Sequence, residues 1–421
     1  MTNIWIVNHY ASYPGDSATG SRHFSLARRL SQLGWEPVIV AASSEHNSTR
    51  QRLPQGASRG TDVRDGVKFR WLRTSSYSGN GIARILNILR FTWALLLPRS
   101  TSDLPAPSVI VGSTVHPLAA WAASVLARRR HVPFVFEIRD LWPQTLIDMG
   151  KLKDRGIPAR LMRVLERKLC RDAAAIITLL PEAHTYLSAR GIDARKVHWI
   201  SNGTDVDEFS VAGPPGGEFQ FVYFGSIGRA NAVETIVRGF AEHRKVTTAS
   251  PSKLLIVGEG SEKGQLQALV RREKLDAVVE FRDAVPKFEI PAIAAGAHCL
   301  LINVLDLPIY RFGISMNKLF DYMAASRPII IASSSVNNPV KDANGGISVP
   351  ADSMSGLSEA MGTIVSATPQ ERQVWGENNR AFVAANFDYS VLGAYLDHVL
   401  SDILKFHMSR HAAGPPTGAN A

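Results

Sequence analysis

An α/β protein built from two doubly wound parallel sheets is what this sequence predicts, and three observations carry that reading. Short apolar runs bounded by turn residues alternate with helix-period segments through most of the chain, the pattern of parallel sheets covered by helices. The alternation breaks at Ser210-Val211-Ala212-Gly213-Pro214-Pro215-Gly216-Gly217, which continues neither helix nor strand and reads as a linker near residue 213. The length of 421 residues suits two domains of similar size, each with its own core.

The first-half strands, in order, are Ile4–Asn8, Pro37–Ala41, Val67–Leu72, Ser108–Gly112, Phe134–Ile138 and Ala175–Thr178, with Trp199–Ser201 closing the series; Ser21–Leu33 and Pro117–Arg129 are helices between them. After the linker, Gln220–Gly225, Lys253–Val257, Val278–Arg282, Cys299–Asn303 and Pro328–Ala332 read as five buried strands. The expected domains are residues 1–210 and 211–405, facing a cleft, with residues 406–421 a flexible tail. Whether the last helix crosses back to the first domain is left open. Ligands of such sheets bind at the carboxyl ends of the strands.

Composition excludes other classes. At 45% hydrophobic and 20% charged, the chain is too apolar for a disordered protein. The formal net charge of +10 favours anionic partners, yet no basic helix, stacking platform or zinc motif points to nucleic acid. Cys170 and Cys299 are too few for a disulfide framework and have no metal-ligand spacing, so both read as buried thiols of a cytoplasmic protein. The start, Met1-Thr2-Asn3-Ile4-Trp5-Ile6-Val7, lacks a basic leader region and reads as a strand. Ile82–Leu97 departs from the alternation: it is interrupted by Arg84 and Arg90 and too short to span a bilayer. It is either a helix packed on the sheet or an amphipathic contact to an anionic membrane.

The strongest constellation runs from Pro308 to Ala325. Gly313-Ile314-Ser315-Met316-Asn317-Lys318 follows the strand Cys299–Asn303, so a helix is expected to start near Ser315 as N-cap and to offer free N–H groups to an anion. Lys318 supplies a full charge, and Asp321 and Asn317 are expected on the same helix face, where a carboxylate suits ribose hydroxyls; the alternative is a solvated surface pair. Gly225-Ser226-Ile227-Gly228-Arg229 and Val257-Gly258-Glu259-Gly260 place further glycine turns after strands, with Arg229 near the first. Several such loops on one sheet point to a nucleotide diphosphate.

In the first half, Pro14–His23 carries a glycine loop ending at Gly20 with Arg22 after it, and it is not a Walker A loop because no Lys-Ser/Thr follows. His116 ends the fourth strand, where it is either structural or a substrate contact. Glu137-Ile138-Arg139-Asp140-Leu141-Trp142-Pro143 brings two carboxylates and a guanidinium to a strand end. That suits a hydroxylated substrate, and the rival is an internal salt bridge of Arg139 with Asp140 or Glu137.

Together these motifs resemble a GT-B glycosyltransferase of family 4, over roughly residues 3–405. The Glu137–Pro143 and Gly313–Lys318 segments are similar to its WbuB-like branch, which builds bacterial O-antigen and exopolysaccharide. Many members carry two glutamates that fall here on Gly313 and Asp321, so the first carboxylate is missing. The family's phosphate-binding pair falls on Arg229 and Lys318, with Ser226 at the usual Arg position.

The resemblance implies a retaining enzyme with no cofactor and no required metal. It takes a nucleotide-diphosphate sugar, UDP-linked by preference, and a glycan or polyprenyl-diphosphate-linked acceptor, at the inner face of a bacterial plasma membrane. Catalysis then falls to His116, Arg229 and Lys318. Donor binding falls to Gly20, Gly225, Ser226, Gly258, Gly260, Gly313, Ile314, Ser315, Asn317 and Asp321, and acceptor binding to Arg22, Glu137, Arg139 and Asp140. A sugar-nucleotide 2-epimerase and a non-catalytic membrane-associated scaffold are the alternatives.

Overall fold

The computed structural model describes residues 2–13, 22–45, 50–77, 79, 81–114, 116–210, 213, 215–246 and 251–412. They form two compact units, residues 2–13, 22–201 and 389–412 in the first and residues 202–388 in the second.

The first unit holds an eight-stranded sheet of β1 (Thr2–Val7), β2 (Trp35–Ala42), β3 (Arg59–Arg64), β4 (Val67–Leu72), β5 (Val109–Ser113), β6 (Phe134–Ile138), β7 (Ala175–Thr178) and β8 (Val197–Trp199). Its order is β3-β4-β2-β1-β5-β6-β7-β8, parallel except for the antiparallel β3–β4 pair. The side-chain period of two assigns each face its layer. Val109 and Val111 join a core with Leu26 and Leu30 of helix Arg22–Gln32 and with Leu392, Leu396 and Leu400 of helix Tyr389–Ala412. Gly112 faces the other way, where an added Cβ would lie 2.8 Å from Ala123 of helix Pro117–Arg129 and 2.9 Å from Phe134. The last helix is continuous to Ala412, so residues 406–412 are helical where a flexible tail was expected. Residues 413–421 lie outside the described residues.

The second unit holds a six-stranded, all-parallel sheet: β9 (Phe219–Phe224), β10 (Ser252–Val257), β11 (Val279–Arg282), β12 (Cys299–Asn303), β13 (Ile329–Ala332) and β14 (Gly346–Val349). Its order, β11-β10-β9-β12-β13-β14, is that of the dinucleotide-binding fold, with the topological switch between β9 and β12. Val222, Phe224, Leu300 and Ile302 pack with Leu319, Phe320 and Met323 of helix Asn317–Ala324. Phe221, Tyr223, Leu254 and Ile256 pack with Ile236 and Phe240 of helix Val233–Val246. Cys170 and Cys299 are free and buried.

A buried chain of hydrogen bonds ties the strand ends of the first unit. Asn8, just after β1, donates to His23 Nδ1 at 2.8 Å, and His23 Nε2 meets Glu137 Oε2 of β6 at 2.5 Å. With Nδ1 accepting, the His23 proton sits on Nε2 and goes to the carboxylate. Arg22 Nε donates to Glu137 Oε1 at 3.0 Å, and its guanidinium also reaches the carbonyls of Ile200, at 2.8 Å, and Ser201 after β8. Burial opposes charge on Glu137, but His23 and Arg22 beside it hold its carboxyl well below the usual carboxylate range. Removing one partner of a buried pair strands the other. Arg22→Met is expected to lower the stability of the first unit by about 3–5 kcal/mol, read as a shifted denaturation midpoint. A change below about 1 kcal/mol would mean that the pair contributes no more than a surface ion pair.

Candidate functional site

The polar ends of the second sheet gather around Lys318. β9 delivers Tyr223, and the chain then turns at Gly225, whose φ of +142° favours glycine. A Cβ there would lie 3.1 Å from Lys318 Cδ, so the missing side chain makes room for the lysine stem. Lys318 Nζ donates to the Tyr223 hydroxyl at 3.0 Å and to Asn231 Oδ1 at 2.6 Å, and sits 4.5 Å from the Tyr223 ring centroid. Neither hydrogen-bond partner carries a charge. Burial pushes the Lys318 ammonium down to about 7, so the site holds a cation that an anion would stabilise.

The frame around that cation is itself bonded. Burial pushes the Tyr223 phenol up, and the protonated hydroxyl donates to the Ser226 carbonyl at 2.6 Å. Asn231 Nδ2 donates to the same carbonyl at 2.9 Å. Asn231 lies in the short 3-10 turn Arg229–Asn231, which ends at Ala232 in a left-handed conformation, φ +39°. Asn303, the last residue of β12, pins that turn by donating to the Ala232 carbonyl at 2.9 Å. Arg229 is exposed on the same turn, and no bond of its side chain is found among the described residues.

The other expected donor residues divide. Gly258 and Gly260 are explained by the neighbouring loop: a Cβ on either would overlap the carbonyl of Gly225 or Ile227. The two loops are laced by Gly225 N to Val257 O at 3.0 Å and Ile227 N to Glu259 O at 2.8 Å. Gly313 has φ +110°, and its N–H is spent on Tyr310 O. The Ile314 N–H is held by Asn337 Oδ1 at 2.8 Å. The helix begins at Asn317 with Met316 as its cap, not at Ser315. Ser315 is drawn away because its hydroxyl accepts from the Asn202 N–H at 2.9 Å and its carbonyl from the Asn202 amide at 2.5 Å. Asn317 is half-buried at the first position of the helix. Asp321 does not meet the Lys318 ammonium: it accepts from Thr204 at 2.7 Å and pairs with Lys287 at 3.2 Å.

In the first unit, β1 and β5 are neighbours at the switch of the sheet, and His9 and His116 follow them. The Ala119 N–H donates to His116 Nδ1 at 3.3 Å, making His116 the N-cap of helix Pro117–Arg129. The His116 proton therefore lies on Nε2, 2.6 Å from His9 Nδ1. Burial, with help from Arg84, lowers His116 to about 3, so the pair is neutral at His116. His9 itself stacks between Tyr10 and Phe91 at 4.2 and 4.3 Å. Arg22 and Glu137 belong to the buried chain described above, so neither side chain is open at the surface. Glu137 is committed to Arg22 and His23, where a contact to a hydroxylated substrate was expected and a bridge to Arg139 was the rival. Arg139 is half-buried and Asp140 exposed beyond β6. Gly20 lies outside the described residues.

Asn231, Tyr223 and His9 were missed by the sequence reading, and no local motif marks them. Asp205-Val206-Asp207 is an Asp-x-Asp run, but Asp205 is buried and Asp207 exposed, so the two do not share a face. Among the described residues no three His, Cys, Asp or Glu side chains gather as a metal-ligand set.

Comparison with known proteins agrees with these two sheets. A glycosyl transferase 4-like domain matches residues 19–203, and a glycosyl transferases group 1 domain matches residues 218–367. No curated protein matches the sequence. The sucrose-phosphate synthase of Thermosynechococcus elongatus superposes with a TM-score of 0.74 at 16% identity, over 96% of this chain and 100% of that one. HepE of Anabaena, solved in complex with UDP-glucose, gives 0.64 at 13% identity, over 96% and 100%. WaaG, a glycosyltransferase involved in lipopolysaccharide biosynthesis, gives 0.66 at 14% identity, over 94% and 99%. With a glycosyltransferase domain matched in each unit and the whole chain following the fold of such enzymes, this protein is a GT-B glycosyltransferase related to the family 4 and group 1 enzymes.

Proposed function

We propose that the enzyme moves a sugar from a UDP-linked donor, with retention of configuration and without a metal, to a glycan or polyprenyl-diphosphate-linked acceptor of a cell-surface polysaccharide. The observation that carries this reading is the uncompensated ammonium of Lys318 at the carboxyl ends of β9 and β12. A diphosphate leaving group needs positive charge where its own negative charge develops, and Lys318 and the exposed Arg229 supply it. A uridine donor is supported by HepE, which shares the fold and holds UDP-glucose. The WbuB-like character of Glu137–Pro143 and Gly313–Lys318 supports the polysaccharide assignment, and an anionic membrane beside Ile82–Leu97 is where a lipid-linked acceptor would wait.

In this mechanism the bond from the sugar anomeric carbon to the diphosphate oxygen breaks while the acceptor oxygen bonds to the same face. The acceptor proton passes to the departing phosphate oxygen. Asp321, Asn317 and the Gly225–Ser226 turn flank the nucleotide, and Gly313 leaves open the position where relatives carry a carboxylate. Arg139 and Asp140 face the acceptor, Arg22 and Glu137 position their strand, and His116 acts on the sugar through His9.

Incubating a panel of nucleotide sugars with and without a polyprenyl-diphosphate acceptor tests the reaction. Release of UDP together with a heavier lipid-linked glycan by mass spectrometry is expected, whereas epimer interconversion without acceptor would replace the transferase reading. Lys318→Met is expected to weaken UDP binding about 10- to 100-fold by calorimetry, the worth of one charge-assisted contact of about 1.5–3 kcal/mol; unchanged affinity would remove Lys318 from the donor site. The sign of the pH effect follows from the lowered ammonium. Bound diphosphate favours its charged form, so affinity is present below pH about 7 and falls by up to about tenfold per unit above it. Calorimetry between about pH 7 and 9, above the terminal phosphate's own titration near 6, is expected to show that decline in the native enzyme and a flat profile in Lys318→Met.

A further inference from the structure

Two helices of the first unit leave apolar stripes in solvent. On helix Ile82–Leu96, Ile82, Ile85, Leu86, Leu89 and Trp93 are exposed, Ile82 at 76% and Trp93 at 68%, while Asn87, Phe91, Thr92 and Leu95 face inward. Helix Ile157–Asp172 repeats the arrangement with Ile157, Leu161 and Val164, exposed at 73%, 64% and 64%. The spacing of three and four residues makes each set a single stripe. Both helices pack against Pro117–Arg129, one on each side of the same layer. In a parallel α/β sheet each helix leaves the carboxyl end of a strand, so the stripe of Ile157–Asp172, set in the first half of its helix, and the Ile82–Leu89 part of the other lie toward that end of the sheet, with Trp93 further along.

Charge selects the occupant. Residues 82–100 carry Arg84, Arg90 and Arg99 and no acidic residue. Residues 151–172 carry eight basic residues against Asp154, Glu166 and Asp172; Glu166 is buried, Asp154 pairs with Arg163 and Asp172 with Lys168, so the excess stays basic. A second copy docking by a two-fold would bring these basic rims against themselves. A bilayer with anionic headgroups accepts both parts, taking the apolar side chains into its interface and pairing the rims with phosphate. Among the described residues no helix is long and apolar enough to cross a membrane, so the contact lies along the surface.

We propose that Ile82–Leu96 and Ile157–Asp172 together form one platform that seats the first unit on an anionic bilayer, with Ile157, Leu161 and Val164 as its second anchor. This adds a partner to the transferase reading and does not depend on the donor site. The test is co-sedimentation of the full chain with phosphatidylcholine vesicles, with or without about 30% phosphatidylglycerol, at low and high salt. Binding to the anionic vesicles alone, weakened by salt, is expected. Leu161→Glu with Val164→Glu, and separately Leu89→Glu with Trp93→Glu, are each expected to lower the bound fraction at least tenfold, with UDP affinity and the melting midpoint unchanged. Equal binding to neutral vesicles overturns the charge assignment. Binding that survives the Leu161/Val164 change overturns the second anchor. A concentration-dependent dimer broken by the same change, with no vesicle binding, overturns the membrane as occupant. Loss of UDP binding in the native chain would instead strike the donor reading and leave this one standing.

Discussion

A lysine ammonium held half-buried between a phenol and a carboxamide, neither of them charged, is the constraint around which the strand ends of the second unit are arranged. To bring Nζ to that point the lysine stem must pass where a side chain on residue 225 would be, so the turn after β9 requires glycine. To keep the phenol oriented, its proton is committed to the Ser226 carbonyl. To keep the carboxamide oriented, a three-residue turn ends in a left-handed alanine and is pinned by Asn303 from the adjacent strand. Each cost is local, and all of them serve one unneutralised charge. Strain that persists at a strand end is intelligible when a ligand is the missing half of the electrostatics.

The first unit uses charge in the opposite sense. Arg22 and Glu137 answer each other, and the remaining guanidinium protons go to backbone carbonyls beyond β8. Such a closed network holds loops in place and has little left to offer a ligand. Polar residues at strand ends therefore have two quite different meanings, and only the groups they bond to distinguish them. His116 illustrates this: a histidine at the switch of a sheet invites a catalytic reading, yet one ring nitrogen caps a helix and the other faces His9.

The alternation of buried strands and amphipathic helices was legible because it is a local property. Val67–Leu72, Phe134–Ile138, Ala175–Thr178 and Cys299–Asn303 match their observed bounds, and the other expected strands fall within two residues. The strands that escaped, β3 (Arg59–Arg64) and β14 (Gly346–Val349), sit at sheet edges and have no fully buried residue, and neither carries a continuous apolar run. In the site, Lys318 and the glycine after β9 were legible from their place after strands. Asn231 and Tyr223 were not, since their roles come from contacts spanning 87 and 95 residues. Ser315 looked like a cap because its composition fits one; a tertiary bond to Asn202 took its hydroxyl instead.

The path of the chain has a consequence for how this enzyme is made. The first unit is split: residues 22–201 wait for the helix Tyr389–Ala412, which contributes Tyr389, Leu392, Leu396 and Leu400 to the same core as Leu26, Leu30 and Trp35. Among the described residues the second unit, 202–388, is one stretch of chain and emerges from the ribosome before that helix does. Vectorial synthesis therefore favours completion of the second unit before the first, although it is encoded later. Until the final helix arrives, the nascent first unit exposes an apolar groove over helix Arg22–Gln32, the kind of surface that chaperones hold and that proteases find in a stalled or truncated product.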